Sequence, residues 1–266
     1  MVTDDEATHQ QVLQHALRTM NELDMSRPPP VVGQGIHRML RKITGVDDPY
    51  REAKSAFNRV ALELLPELAA NVRRAPQPLL AAARLAIAAN VIDLGANGTL
   101  TRAEARAALR DAFQTSFQGD LPEFREAVDA AAKVLYLADN AGEIAVDRLL
   151  VEELGPERVT VVVRGGAVIN DATLADAREV GMQDLVEVID NGSDAPGTIV
   201  DDCSPSFRKR FRNADLIIAK GQGNFETLSH VNAPLFFLFK VKCPLVARHI
   251  GLPNGTLALL KAGSRD

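Results

Sequence analysis

From residue 134 onward, short apolar runs at 134–138, 159–163, 186–189, 216–219, 235–239 and 257–260 alternate with helix-period segments near 143–154, 172–180, 204–212 and 224–230. Runs this short, bounded by turn residues, read as buried strands. Their alternation with helices predicts an α/β fold: a mainly parallel sheet with helices on both faces. Such a sheet binds ligands outside the carboxyl ends of its strands, where the strand order reverses. The polar and glycine residues of this half stand in those places. Asp139 and Asn140 follow the first run, Arg164-Gly-Gly166 to Asn170-Asp171 the second, Asp190-Asn-Gly192 the third, Lys220-Gly-Gln-Gly223-Asn224 the fourth, and Lys240 and Lys242 the fifth.

The first part of the chain has a different period. Residues 7–115 carry helical patterns at 9–23, 35–43, 50–73, 79–94 and 101–113. Pro28-Pro-Pro30 is expected to stop the first of these, because proline removes a donor and biases the preceding residue away from helix. Asp47-Asp48-Pro49 opens the third, and Thr101-Arg-Ala-Glu104 has capping-box spacing. The predicted division is a helical lobe over 1–117 and an α/β/α core over 118–266, which the residues below make the catalytic part.

The chemistry at the strand ends suits one task. Hard divalent cations take carboxylate and amide oxygens, completed by water and substrate phosphate, and Asp139, Asn140 and Asp171 could supply such a set. Lys220 and Lys242 would balance a phosphate charge, and glycines at 142, 221 and 223 let backbone N–H groups approach it. The simpler readings stand beside this one: an Asp-Asn after a strand is more often a helix cap, and Asp171 could cap the helix after it. Lys220-Gly-Gln-Gly-Asn lacks P-loop spacing and alone reads as a turn. Asp201-Asp202 and Arg208-Lys209-Arg210 read as a solvated helix start and face. The five histidines share no ligand spacing, and Cys203 and Cys243 read as inert thiols.

Net charge excludes some partners. At -5 the chain lacks the cationic excess that gripping nucleic acid requires. No apolar run approaches the ~20 residues of a membrane span. Two cysteines give no disulfide framework, and Met1-Val-Thr-Asp-Asp-Glu6 is unlike a signal peptide, so a cytoplasmic protein is expected.

Several motifs in order carry a resemblance: Leu137-Ala-Asp139-Asn140-Ala-Gly142-Glu143, Asn170-Asp171-Ala-Thr173, Ala195-Pro-Gly197-Thr-Ile, Asp202-Cys-Ser204 and Lys220-Gly-Gln-Gly-Asn224-Phe-Glu226-Thr-Leu228. Thr44-Gly45, Asp48-Pro49-Tyr50, Lys54 and Ala88-Ala-Asn90-Val-Ile-Asp93 extend it into the helical half. Together they resemble the damage-control phosphatase family, long called domain of unknown function 89, and its subfamily I in particular. The resemblance implies a metal-dependent phosphatase of small phosphorylated metabolites, such as sugar phosphates or damaged phospho-metabolites, with a divalent ion (magnesium, manganese, cobalt or nickel) on Asp139, Asn140 and Asp171. Position by position it implies substrate contacts at Glu143 and Asn224, and the lysine of an Arg-Thr-x-Lys motif at Lys242. Here that motif reads Phe239-Lys240-Val241-Lys242, so only the lysine transfers, and Thr8 and Gln11 stand where subfamily I commonly has a Cys-x-x-Cys pair.

Asn90 and Asp93 lie three apart on one helix face. They could close over the site and read the substrate, or equally brace the two parts as a buried polar pair. Two other functions fit the same residues: an S-adenosylmethionine-dependent carboxyl methyltransferase, which the absence of Gly-x-Gly-x-x-Gly after every strand disfavours, and a metabolite- or metal-binding protein without turnover.

Overall fold

The computed structural model describes residues 5–21, 24, 27–91 and 102–263. In chain order its elements are α1 (Glu6–Asn21), α2 (Pro29–Thr44), α3 (Arg51–Arg74), α4 (Pro78–Ala88), a 3-10 turn Ala89–Val91, α5 (Arg102–Asp111), β1 (Phe117–Gly119), α6 (Leu121–Ala130), β2 (Val134–Leu137), α7 (Glu143–Leu154), β3 (Val159–Val163), α8 (Leu174–Glu179), β4 (Glu187–Asp190), α9 (Pro205–Asn213), β5 (Leu216–Lys220), α10 (Gly221–Leu228), β6 (Leu235–Lys240), α11 (Pro244–Ile250) and β7 (Leu257–Lys261). Asp93 and Thr101 lie outside the described residues.

The seven strands form one sheet in the order β1-β7-β6-β5-β2-β3-β4. β2 to β6 are parallel, β7 runs against β6, and β1 follows β7. The period-2 alternation of buried strands sorts side chains between two cores. Tyr136, Ile218, Phe236 and Leu259 face a layer that includes α3, α4, α6 and α7. Leu135, Ile217, Phe237 and Ala258 face α9, α10 and α11. The result is the expected three-layer α/β/α arrangement, in which α3 and α4 share the core of the sheet.

Two expectations change. The proline run does not stop a helix but starts one, with Pro28 as N-cap in extended conformation and Pro29 and Pro30 in the first turn of α2. A first-turn proline loses only an N–H that has no intrahelical partner anyway. β1 and α6 lie beyond the expected elements, because a three-residue strand shows no alternation to read. Gly119, at φ 133, explains its place: a Cβ there would stand 1.8 Å from the Leu259 carbonyl oxygen.

Ile218 lies fully buried on central strand β5. Ile218→Ala should cost about 2–5 kcal/mol in urea unfolding; a loss below about 0.5 kcal/mol would place it in a looser core than described.

Candidate active site

From β2 the chain moves outward to β3 and β4, then returns to β5 on the other side of β2 and continues to β6. The strand order therefore reverses between β2 and β5, and a crevice is expected at their carboxyl ends. Asp139 stands just beyond β2, and Lys220 ends β5.

The capping alternatives do not hold. Gly142, at φ 78, is the N-cap of α7, and no side chain caps that helix. At α8 the capping oxygen is Asp176 Oδ2, which accepts from the Thr173 N–H at 2.9 Å and the Thr173 hydroxyl at 2.7 Å. Asp139, Asn140 and Asp171 are thus released from capping, and the backbone brings them together. The Ala141 N–H donates to the Asn170 carbonyl and the Ala172 N–H to the Asp139 carbonyl, both at 2.8 Å, around an isolated Asn140–Asp171 bridge.

Around these three side chains lies a buried charge cluster. Arg164, at the carboxyl end of β3, donates from Nε to Asp171 Oδ2 at 2.6 Å, and its outer nitrogen lies 3.7 Å from Asp139 Oδ1. Its other nitrogen reaches Thr198 Oγ1 at 3.3 Å and Asn224 Oδ1 at 3.4 Å. Lys220 Nζ donates to Glu143 Oε2 at 2.9 Å and Asp147 Oδ1 at 2.8 Å, and all three residues are fully buried. Asn90, from the turn after α4, donates to Glu143 Oε1 and, at 3.4 Å, to Asp139 Oδ2. Asn140 Nδ2 donates to Asp139 Oδ2 at 3.0 Å and Glu143 Oε1 at 3.2 Å.

The expected residues separate by depth. Asp139, Asn140, Asp171, Glu143, Asn90 and Lys220 form one connected group, and Asp139 keeps 12% of its side chain exposed. Asn224 is wholly buried behind it, accepting from Thr198 Oγ1 at 2.8 Å and donating to the Lys220 carbonyl at 2.7 Å. Lys242 is exposed beyond β6, where its backbone N–H donates to Gln222 Oε1 at 3.3 Å. Arg164 and Asp147 join the cluster without having been singled out, because an arginine closing a strand and a helical Asp leave no pattern in one sequence. Asp202, read as part of a solvated helix start, is exposed and also accepts from Gln34, Arg38 and Ser193. Cys203 is buried, and burial pushes its thiol up to about 12.

The electrostatics follow from the census. Among the described residues, ion pairs join Asp139 and Asp171 to Arg164, and Glu143 and Asp147 to Lys220, so these six groups sum to two negative charges when all are ionised. Burial, then Glu143 and Asp171, hold Asp139 well above the ordinary carboxylate range, against the pull of Arg164 and Lys220. Burial pushes Asp147 up to about 6, despite Lys220 beside it. Burial pulls the Lys220 ammonium down, but Asp147 and Glu143 outweigh it and keep that lysine charged above its usual range.

These residues fit a divalent cation. Its two charges would cancel the excess, and the amide oxygen of Asn140 accepts no hydrogen bond among the described residues. Among the described residues no three His, Cys, Asp or Glu form a ready cage. Two carboxylates and an amide would leave the remaining positions to water and substrate, as hard cations prefer.

Gly221 sets the room available: at φ 78, its Cβ would stand 1.9 Å from Asp139 Oδ2. Gly221→Ala should therefore push the Asp139 carboxylate aside and weaken Mn2+ binding by at least about ten-fold in calorimetry, as disturbed supports of metal ligands do; wild-type affinity would refute the contact. Asp147 adds a pH test. Its folded pKa of about 6 lies above the ordinary 3.8, so the native state takes up this proton first, and its contribution to stability rises as pH falls through that window. In metal-free protein, the stability of the wild type relative to Asp147→Asn should improve between pH 7 and 5, measured by urea unfolding. A pH-independent difference would contradict the assignment.

Comparison with known proteins bears on the family and the fold. The model of the damage-control phosphatase ARMT1-like domain matches residues 1–257. A damage-control phosphatase of Archaeoglobus fulgidus is 38% identical, over 97% of this chain and 91% of its own. One of Pyrococcus horikoshii is 36% identical, over 88% and 81%. An uncharacterized protein of Methanocaldococcus jannaschii is 35% identical, over 98% and 89%. A crystal structure of a DUF89 family protein from Pyrococcus horikoshii superimposes with a TM-score of 0.87 at 32% identity, covering 98% of this chain and 92% of that one. The chain belongs to the damage-control phosphatase ARMT1-like domain family.

Proposed function

We propose that this protein is a metal-dependent phosphatase that hydrolyses phosphomonoesters of small metabolites at the carboxyl ends of β2 and β5. The observation that carries this reading is that Asp139, Asn140 and Asp171 converge outside the N-caps of α7 and α8, among six ion-paired described groups that sum to two negative charges. Relatives named damage-control phosphatases over most of the chain support it. A buried anionic cluster with an open amide oxygen is poorly suited to a phosphate alone and well suited to a cation that brings the phosphate.

Bound to oxygens of Asp139, Asn140 and Asp171, a magnesium, manganese, cobalt or nickel ion would act as a Lewis acid on a phosphoryl oxygen. The chain's own residues do the rest. Glu143 accepts from Asn90, Asn140 and Lys220, and so fixes the amide of Asn140 and the ammonium of Lys220 in place. Lys220 supplies fixed positive charge behind the phosphoryl position, and needs no reorganisation there because Glu143 and Asp147 already hold it. Arg164 keeps Asp171 and Asp139 facing one point. Asn224 secures Arg164 and the end of β5 from behind. Lys242, in solvent at the end of neighbouring β6, is placed to meet an incoming anion. Among the described residues no helix is long and apolar enough to cross a membrane.

A panel of phosphate esters assayed with each metal and with a chelator tests this. Turnover should be lost on chelation and return with metal. Asp139→Ala should lower kcat by more than about 100-fold, beyond the ~10–100-fold typical of an outer-shell partner. Metal-independent turnover at the wild-type rate in Asp139→Ala, or binding of esters without hydrolysis, would overturn the proposal.

A further inference from the structure

Lys54 and Asn58 lie four residues apart on α3, hence on one helix face, and both are wholly buried. Neither touches the metal-binding group, yet each fastens one of the two loops that form it. Asn58 Oδ1 accepts the Gly142 N–H at 2.7 Å, while its Nδ2 donates to Glu179 Oε2 at 3.0 Å and Asp176 Oδ1 at 3.3 Å. Lys54 Nζ bridges Asp176 Oδ2 at 2.8 Å and Asp48 Oδ2 at 3.0 Å. Asp176 in turn holds Thr173, two residues beyond Asp171.

The Gly142 peptide is the sensitive point. It lies between Asn140 and Glu143, at a positive φ of 78 that leaves its orientation to be set from outside. Asparagine is a poor helix former, and burying its amide in α3 is costly unless every polar atom is used. Its use here is to fix one backbone N–H of the loop carrying Asp139 and Asn140.

We infer that Asn58 is a positioning residue for the metal site, acting through the Gly142 peptide, with Lys54 securing the facing loop through Asp176; this rests on the metal site proposed above. Outer partners of metal ligands act in this way, and their loss weakens affinity without removing a ligand.

The test combines Mn2+ calorimetry with amide exchange at Gly142, followed by NMR on metal-free full-length protein. In the wild type the Gly142 amide should be strongly protected. Asn58→Ala should expose it and weaken Mn2+ binding by about 10- to 100-fold. Asn58→Gln, which keeps both the amide oxygen and the amide N–H, should restore part of the protection and of the affinity, whereas Asn58→Asp, which sets a carboxylate against Glu179 and Asp176, should not. Ser55→Ala, which removes only a contact from α3 to Glu179, should change neither. If folded Asn58→Ala has a lower Tm but binds Mn2+ like the wild type, Asn58 is only a brace and the inference is wrong. Should Asn58→Ala fail to fold, Asn58→Gln decides: lost affinity with Gly142 still protected contradicts the inference, as does rapid Gly142 exchange in the wild type. Wild-type protein that binds no Mn2+ at all would instead overturn the metal site itself, a result separable from the others.

Discussion

Lys220 buried between Glu143 and Asp147 is the interaction on which the site depends. An ammonium at the end of a central strand cannot be desolvated without anions, and two carboxylates on one turn of α7 provide them. That solution brings more negative charge to a place where Asp139 and Asp171 already stand, and Arg164 offsets only part of it. Burial and the neighbouring carboxylates together hold Asp139 and Asp147 above the ordinary carboxylate range, and a divalent ion would offset that repulsion. In the proposed reading, metal binding and the mutual repulsion of these carboxylates are two sides of one arrangement.

The fold makes that arrangement possible in two ways. The reversal of strand order between β2 and β5 opens the crevice, and parallel strands put both chain ends on the same side of it. The helices of the first part then close the site from one face: Asn90 reaches Glu143 and Asp139, and Asn58 reaches Gly142. Close backbone packing completes the other face. A Cβ on Gly197 would meet the Gly223 carbonyl at 2.7 Å, and one on Gly223 the Pro196 carbonyl at 2.4 Å. The Ala195-Pro-Gly197-Thr-Ile motif is therefore a seat for the first turn of α10, from which Thr198 holds Asn224.

Much of this was legible in the sequence, and the rest was hidden for definite reasons. Buried strands leave near-continuous apolar runs, so six of the seven strands and the positions of Asp139, Asn140, Asp171 and Lys220 beyond them could be read directly. The choice between cap and ligand could not be, because Asp-Asn before a helix satisfies both rules; only Gly142 at the N-cap and the Thr173–Asp176 pair separate them. Nor could depth be read. Lys220 and Lys242 look alike after their strands, yet one is buried in ion pairs and the other is exposed, because the neighbours that decide it, Glu143 and Asp147, are remote in sequence. Asn58 carries no local pattern, since the Gly142 N–H it accepts lies 84 residues away.

The most direct test of the account is anomalous diffraction from crystals grown with Mn2+. A single strong peak bonded to oxygens of Asp139, Asn140 and Asp171, with Lys220 still between Glu143 and Asp147, is the predicted result. A fully occupied ion bound elsewhere, with Arg164 alone between Asp139 and Asp171, would contradict it.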